Sequence, residues 1–293
     1  MRVLRLCAAG GPERLAVEDA DRPRPGLAEA LVRVHAAAIT RGELEWPVDR
    51  LPAIPSYELS GVVEEVGRGV AGAAAGDEVF ALTPFDRDGV AADYTSVPDE
   101  LLVPKPRALG HAESAAIPLP ALSAWQGLFD HGRLGADGRV LIHGAAGNVG
   151  GFAVQLARAA GAHVIGTASA ATLDFVLELG AHEVVDAAEG FEDAVEPVDV
   201  VFDTVGGERL RRSRAVLRAG GRLVSVAEEP PEGGVYFIVE PNRDQLGSLA
   251  RMVDGGDLRP PLVEVFPFTS AREAFARSLE PGRRGKVVLT VAA

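Results

Sequence analysis

The chain has 293 residues, of which 47% are hydrophobic, and a formal net charge of -13, so two domains are expected and nucleic acid or an anionic membrane surface is a poor partner. Cys7 is the only cysteine, which excludes a disulfide framework and a thiolate metal cage and favours a cytoplasmic location. No apolar run reaches membrane-spanning length, and residues 1–7 are too short and too interrupted for a signal peptide.

The first third of the chain is rich in short β-type segments with turn residues between them. The predicted strands are 30–36, 58–65, 77–81, 94–97 and 101–103. This pattern predicts a compact β-barrel.

From about Ile117, predicted strands and helices alternate, which is typical of a doubly wound parallel sheet. The six strands are predicted at 140–142, 164–166, 183–186, 199–203, 222–226 and 235–239. The helices between them are predicted at 148–160, 171–179, 207–219 and 242–254.

A glycine turn follows the first of these strands and opens a helix. It matches the dinucleotide fingerprint G-x-G-x-x-G over 145–150, with Ala145 in place of the first glycine. Gly147 would let the backbone approach a pyrophosphate, and Gly150 would let the helix lie close to the strand. The predicted cofactor-binding residues of the turn are Gly144, Ala145, Gly147, Asn148, Val149 and Gly150. The alternative is a structural turn that binds nothing.

The stretch after this turn bears on the choice of cofactor. NAD-binding proteins place an acidic residue about 20 residues beyond the turn, where it binds the ribose 2′-hydroxyl. Here no acid occurs over 139–173, and the second strand is followed by Ser169 and Thr172. Short hydroxyls do not repel a 2′-phosphate, so the sequence favours NADP(H) with these two side chains as donors. The loop has no Arg or Lys, so a positive partner would have to come from elsewhere.

The tail of the chain carries a predicted helix at 270–279 and a predicted strand at 286–291. Both lie beyond the sixth strand and are most simply returned to the first domain. The predicted domains are therefore 1–116 with 266–293, and 117–265.

Six segments, in this order along the chain, resemble the zinc-free quinone oxidoreductase branch of the medium-chain dehydrogenase/reductase superfamily. They are 55–67, 76–80, 119–125, the glycine turn, 201–207 and 284–289. The resemblance implies an α/β protein with a GroES-like β-barrel domain and a Rossmann domain, and a nicotinamide held in a cleft at their junction.

The resemblance also bears on metal binding. The zinc-dependent branch has a catalytic Cys near position 40, a His directly before Glu58 and a four-cysteine lobe. This chain has Thr40 and Tyr57 at the first two places, and its six histidines form no chelating pair in the sequence. We therefore expect no catalytic metal.

Three candidate catalytic residues follow from the resemblance. Ser123 stands where the family has a Thr that faces the nicotinamide, although a helix cap is the alternative. Thr40 stands where relatives have an Asn in the substrate pocket, which weakens any role carried over to it. Tyr57 is either a phenolic proton donor or a packed tyrosine at the barrel edge.

Three further residues resemble positions near the cofactor. Phe237 and Val239 resemble residues that line the nicotinamide pocket. Lys286 resembles a family lysine near the cofactor, and the alternative is a solvated basic residue.

The expected function is a hydride transfer that needs no Lewis acid. A quinone or an α,β-unsaturated carbonyl accepts hydride from NADPH without one, so such a small molecule is the expected substrate. The alternatives are an enoyl reductase that tailors a polyketide-type metabolite, and a non-catalytic NADPH-binding sensor. The resemblance also implies a homodimer, because the strand 235–239 would be an open sheet edge unless it were paired across a two-fold axis.

Overall fold

The computed structural model of the protein describes residues 1–47, 49–231 and 233–292. The chain divides into two units. The first comprises Met1–Leu119, Pro241–Gly255 and Pro260–Ala293, and the second comprises Pro120–Glu240 and Gly256–Arg259.

The regular elements of the described residues are numbered here in chain order. The strands are β1 (Arg2–Leu6), β2 (Leu15–Asp19), β3 (Glu29–Ile39), β4 (Glu58–Val66), β5 (Glu78–Leu82), β6 (Tyr94–Pro98), β7 (Val103–Pro104), β8 (Arg139–His143), β9 (His163–Ala168), β10 (Glu183–Asp186), β11 (Val198–Asp203), β12 (Leu217–Ser225), β13 (Val235–Tyr236), β14 (Val263–Pro267) and β15 (Lys286–Thr290). The α-helices are α1 (His111–Ala115), α2 (Pro118–Trp125), α3 (Asn148–Ala159), α4 (Leu173–Glu178), α5 (Gly207–Arg212), α6 (Arg243–Asp254) and α7 (Ala271–Leu279). A π-helical segment, Gln126–His131, continues α2. Short 3₁₀ turns are Pro12–Arg14, Glu43–Glu45, Asp99–Leu101, Ala170–Thr172, Ser213–Val216 and Phe268–Ser270.

The first unit is built on a sheet in the order β14-β15-β3-β4-β5-β7, with β6 paired to β3. The pairs are antiparallel except for β14 with β15. Strands β1 and β2 form a separate antiparallel pair. The apolar side chains of these strands and of α7 share one core, which includes Leu4, Val32, Leu59, Phe275 and Leu289.

The second unit is a parallel sheet in the order β10-β9-β8-β11-β12-β13. This is the strand order 3-2-1-4-5-6 of dinucleotide-binding folds. Central β8 pairs with β9 and β11, so Leu141 lies beside Ile165 and Val201 in the core. The predicted α/β class, with a doubly wound parallel sheet and a β-rich unit, is confirmed.

Several element predictions need correction. The helix predicted at 207–219 ends at Arg212, and the chain enters β12 at Leu217 because Leu217 pairs with Val198 in the sheet. The sixth strand extends over Val235–Tyr236 only, since the register of β13 with β12 ends at Tyr236. The sequence did not predict β1, β2, β14, α1 or α2.

The two units differ in places from the predicted domain boundaries. Helix α6 belongs to the first unit, where the Arg243 guanidinium donates to the carbonyl oxygens of Asp99 and Gly72. The backbone N–H of Ala108 donates to the Asp254 carboxylate at the other end of the helix. Strand β14 is also in this unit, and the predicted boundary at 265/266 falls within it.

Among the helices of the described residues, none combines the length and apolar character needed to cross a bilayer.

Candidate functional site

The turn between β8 and α3 presents the N-terminus of the helix at the end of the strand. Gly144 has a φ of 74°, and a Cβ at this position would lie 2.5 Å from the Thr204 hydroxyl oxygen. Helix α3 begins at Asn148 after Gly147, an N-cap residue that has no side chain to bind the first-turn N–H groups. Gly147 is exposed and Val149 is half-buried. These features fit the pyrophosphate of a dinucleotide, because a helix N-terminus favours anions.

Close packing of α3 against the sheet depends on Gly150. A Cβ there would lie 2.1 Å from the Gly144 carbonyl oxygen and 2.8 Å from the Ala145 Cα. Ala145 is fully buried, and its N–H donates to the Thr167 carbonyl oxygen at 3.0 Å. Its methyl group lies against Gly166, where a Cβ would come within 2.8 Å. Ala145 therefore contributes packing to the turn, and its N–H is already used.

Ser169 and Thr172 lie together just after β9. The Thr172 hydroxyl donates to the Ser169 carbonyl oxygen at 3.1 Å, and the two hydroxyl oxygens are 3.0 Å apart. Since the Thr172 proton is committed, the Ser169 hydroxyl is the donor between them. A 2′-phosphate would replace one of these two hydrogen bonds.

A buried carboxylate shapes the neighbouring strand end, and the sequence identified it only as part of the family-like segment 201–207. Asp203 ends β11 and accepts hydrogen bonds from the Gly206 N–H and the Ser225 hydroxyl, both at 2.9 Å. Burial raises its pKa despite these bonds. Ligands of doubly wound sheets bind at the carboxyl ends of the strands, so Asp203 shapes the loop at that edge.

Ser123, Phe237 and Val239 are all buried in the second unit. Phe237 lies against the His131 ring, with centroids 4.4 Å apart. The Gln126 side-chain amide donates to the Glu240 carbonyl oxygen at 2.8 Å, and its oxygen accepts from the Glu240 N–H at 3.0 Å. These two bonds fix the segment that carries Val239.

The histidine of β8 is structural. His143 is fully buried between the hydroxyls of Thr167 and Ser213, and burial lowers its pKa to about 3. Ser213 donates its proton to the Arg209 carbonyl oxygen, so His143 carries its proton on Nε2. A neutral, doubly hydrogen-bonded imidazole of this kind holds the sheet to the turn after α5.

In the first unit, Thr40 and Lys286 both contact Glu58, although the three residues come from distant segments of the chain. The Lys286 ammonium lies 2.5 Å from the Glu58 carboxylate and donates to the Thr40 hydroxyl oxygen at 2.8 Å. Thr40 in turn donates to Glu58 at 3.1 Å. The Leu119 N–H donates to the other Glu58 oxygen at 2.8 Å. Glu58 and Lys286 are both buried, so Lys286 is neither solvated nor free in this unit.

A second buried acid, Glu43, lies beside this group, and no sequence signal pointed to it. Its carboxyl accepts from the Thr40 N–H at 3.0 Å and contacts the Ser56 hydroxyl at 3.4 Å. Burial raises the pKa of Glu43 to about 8, and the charge of Glu58 adds to this, although Lys286 opposes it. Glu43 is therefore a neutral acid at pH 7.

Tyr57 is held by an unusual backbone segment. Ser56 has a φ of 65°, and its carbonyl oxygen accepts from the Val90 N–H at 2.7 Å. Gly89 permits this approach, because a Cβ there would lie 2.0 Å from the same oxygen. Left-handed non-glycine residues are concentrated at functional sites. Ser56 thus fixes the direction of the next side chain, Tyr57.

The Tyr57 ring is 1% exposed, and its hydroxyl makes no hydrogen bond of acceptable geometry to any described residue. Burial raises its pKa, while the nearby Arg50 guanidinium opposes that effect. The phenol is therefore protonated at neutral pH.

No group of three or more His, Cys, Asp or Glu side chains among the described residues is arranged to hold a metal ion. Thr40 and Tyr57 offer a hydroxyl and a phenol rather than the thiolate and imidazole that zinc prefers. The donor set at this place does not fit a catalytic zinc.

Comparisons with known proteins agree with this architecture. A family described as alcohol dehydrogenase GroES-like domain matches residues 26–107, and one described as zinc-binding dehydrogenase matches 179–289. The first match confirms the GroES-like assignment of the β-rich unit.

Two curated relatives and one solved structure are similar over most of their length. The chain is 34% identical to the 2-methylene-furan-3-one reductase of Solanum lycopersicum, over 89% of this chain and 71% of the relative. It is 32% identical to the chloroplastic NADPH-dependent alkenal/one oxidoreductase of Arabidopsis thaliana, over 89% and 72%. The structure of the quinone oxidoreductase from Coxiella burnetii has a TM-score of 0.91 at 28% identity, covering 100% of this chain and 99% of that one.

The glycine turn, the parallel sheet and the buried network around Glu58 thus occur in a chain that is similar to oxidoreductases over 71% to 99% of their length. The resemblance inferred from six sequence segments is confirmed. The chain belongs to the medium-chain dehydrogenase/reductase superfamily and is an oxidoreductase that uses a nicotinamide cofactor.

Proposed function

We propose that the protein is a zinc-independent, NADPH-dependent reductase of quinones or α,β-unsaturated carbonyls. The observation that carries the proposal is the pair Thr40 and Tyr57 beside the buried Glu58–Lys286 pair, where the zinc-dependent branch has its metal ligands. An enzyme without a Lewis acid needs an acceptor that is already electron-poor, and quinones and enones are such acceptors.

The preference for NADPH is supported by the loop after β9. Ser169 and Thr172 are neutral donors, and no carboxylate occurs over 139–173. A carboxylate in this loop would repel a 2′-phosphate, whereas a hydroxyl can bind it. The relative from Arabidopsis thaliana is named as NADPH-dependent.

The turn residues would hold the cofactor by its pyrophosphate. Gly147, Asn148, Val149 and Gly150 form the first turn of α3 and its N-cap, with Gly144 shaping the turn and Ala145 packing beneath it. Phe237, Val239 and Ser123 are the buried side chains of this unit that we propose for the nicotinamide end. The bound cofactor supplies a hydride from C4 of its ring.

Tyr57 is the proton donor that the geometry favours over Thr40. The Thr40 hydroxyl already donates to Glu58 and accepts from Lys286, so its proton is committed. Tyr57 is protonated at neutral pH and its hydroxyl has no such commitment among the described residues. When the acceptor takes hydride at its β carbon, Tyr57 would give its proton to the developing oxyanion, and solvent would return it. For Lys286 we propose a role in orienting Thr40.

The test is NADPH consumption by the purified protein with a panel of quinones and enones, followed by the loss of NADPH absorbance, with NADH as the comparison cofactor. We expect turnover with several acceptors and a higher kcat/KM for NADPH than for NADH. Tight NADPH binding with no turnover on any acceptor would support the sensor alternative instead. Turnover restricted to one dedicated enoyl substrate would support the tailoring enoyl reductase.

A homodimer through β13 is part of the proposal. This strand ends the parallel sheet, and Tyr236 and Ile238 beside that edge are 45% and 63% exposed. An exposed apolar sheet edge is stabilised when a second copy covers it. The cytoplasmic location stays a prediction.

A further inference from the structure

Within the first unit, the Tyr57 ring contacts two other aromatic rings, those of Trp46 and Phe85. The Trp46 and Phe85 rings are 5.1 Å apart edge to face, and Tyr57 lies 5.1 Å from Phe85 and 5.7 Å from Trp46. We call Trp46, Tyr57 and Phe85 the aromatic cluster. Tyr57 is its buried base, whereas Trp46 is 38% exposed and Phe85 is half-buried. The two outer rings are therefore open to a planar partner.

One cation and two acids surround this cluster. The Arg50 guanidinium donates to the Phe85 carbonyl oxygen at 2.5 Å, and its Nε lies 3.8 Å from the exposed carboxylate of Asp49. Burial raises the pKa of Tyr57 most and the charge of Asp88 adds to this, while Arg50 lowers it. Arg50 is thus the cation placed to favour an oxygen that gains negative charge near the Tyr57 hydroxyl.

The Tyr57 hydroxyl has no hydrogen-bond partner of acceptable geometry in the described part of the chain. A buried hydroxyl without a partner is unfavourable, so an oxygen that arrives with the substrate would complete its bonding. The aromatic rings and the unpaired hydroxyl together define a ligand with a planar ring at one end and a carbonyl oxygen at the other.

We propose that the aromatic cluster makes this enzyme selective for acceptors whose carbonyl is conjugated to an aromatic ring, over acceptors with an alkyl chain of equal length. The acceptor ring lies against Trp46 and Phe85, and the carbonyl oxygen accepts from Tyr57 on the side of Arg50. This selectivity rests on the proposed function and narrows its substrate class. Edge-to-face and offset contacts between rings favour an aryl group over an alkyl group of similar area.

The test compares kcat/KM for 4-phenyl-3-buten-2-one and for an alkyl enone of matched length in the native protein and in Trp46→Leu and Phe85→Leu. We expect the native protein to favour the aryl enone, and each variant to lose roughly three- to tenfold in the aryl-to-alkyl ratio, the size of one ring–ring contact. Tyr94→Leu is the control, because it removes a half-buried aromatic ring of the same unit that contacts Arg22 instead. This control should leave the ratio unchanged.

A binding measurement separates this inference from the proposed function. The saturated aryl ketone and the saturated alkyl ketone are titrated calorimetrically into the native protein and into Trp46→Leu, both of which are first checked for cooperative thermal unfolding. If the native protein binds the aryl ketone more tightly than the alkyl ketone and Trp46→Leu does not, the cluster is an aryl site. If no enone is turned over in that case, the aryl site stands and the reductase is refuted. The inference is overturned if the aryl-to-alkyl ratio of kcat/KM is the same in the native and variant proteins, or if the native protein binds both ketones equally. Turnover of the enones in either case still supports the reductase.

Discussion

At the scale of single residues, Glu43 gives the first unit a distinctive pH dependence. The pKa of Glu43 is raised to about 8 in the folded protein, whereas an exposed Glu in the unfolded chain titrates near its usual value. The folded state therefore keeps a proton that the unfolded state loses. The stability contributed by neutral Glu43 is complete below the unfolded pKa and falls as the pH rises toward 8, by about 1.4 kcal/mol per pH unit.

Glu43→Gln removes this dependence. A Gln side chain copies the neutral acid, since its oxygen can accept from the Thr40 N–H and its amide can donate to Ser56. We expect the free energy of unfolding of the variant, relative to that of the native protein, to rise between pH 5 and pH 8 and then to stay constant. Urea unfolding across this range measures it. A constant difference between the two proteins would show that Glu43 is ionised in the fold.

The Glu58–Lys286 pair makes a second prediction at this scale. Lys286→Met leaves the buried Glu58 carboxylate without its cation, and removing one partner of a buried pair costs about 3–5 kcal/mol. Adding Glu58→Gln to Lys286→Met removes the uncompensated charge, so the double variant should recover most of this loss in urea unfolding. If Lys286→Met alone unfolds like the native protein, the pair does not hold the unit together.

At the scale of elements, the approach of α3 to β8 can be tested with two neighbouring glycines. Gly150→Ala would place a Cβ 2.1 Å from the Gly144 carbonyl oxygen, so the turn or the helix must shift. We expect destabilisation of about 1–3 kcal/mol, as for other overpacked sites, and weaker NADPH binding because the first-turn donors move. Calorimetric titration with NADPH and thermal unfolding measure the two effects.

Gly151→Ala is the matched control in the same helix. Its Cβ would meet the flexible end of Leu179 at 3.4 Å, and Ala favours a helix over Gly by about 1 kcal/mol. This variant should bind NADPH like the native protein and unfold at the same or a higher temperature. Equal losses in both variants would mean that the close contact at Gly150 is not what shapes the turn.

The elements also show which parts of the fold are predictable from the sequence. The central strands of the parallel sheet are continuous apolar runs with a glycine turn between β8 and α3, so local pattern identifies them. The end of α5 depends on the pairing of Leu217 with Val198, and the end of β13 depends on its register with β12. Such contacts between distant residues leave no local signal.

The same distinction applies to the candidate site. The glycine turn is predictable because its backbone geometry restricts residue type over consecutive positions. Glu43 resembles any loop acid in the sequence, and only the fold buries it beside Glu58. Trp46 and Phe85 are far apart along the chain, and their contact depends on the route of the loops around Tyr57.

At the scale of the whole molecule, the exposed edge of the parallel sheet predicts the association state. Strand β13 pairs with β12 on one side, and within the described residues no further strand follows it in the sheet. Tyr236 in this strand and Ile238 just after it are 45% and 63% exposed, so two large apolar side chains lie in solvent at this edge. A two-fold axis would bring two such edges together and bury both copies of these side chains.

Ile238→Glu should therefore convert a dimer into a monomer, because it places two like charges at the shared edge and desolvates both. Light scattering at micromolar concentration measures the change as a halving of the mass. Leu27→Glu is the control, since Leu27 is 70% exposed in the first unit and its replacement adds the same charge. A native protein that is already monomeric would refute the dimer, whereas a dimer that survives Ile238→Glu and dissociates with Leu27→Glu would place the interface away from β13.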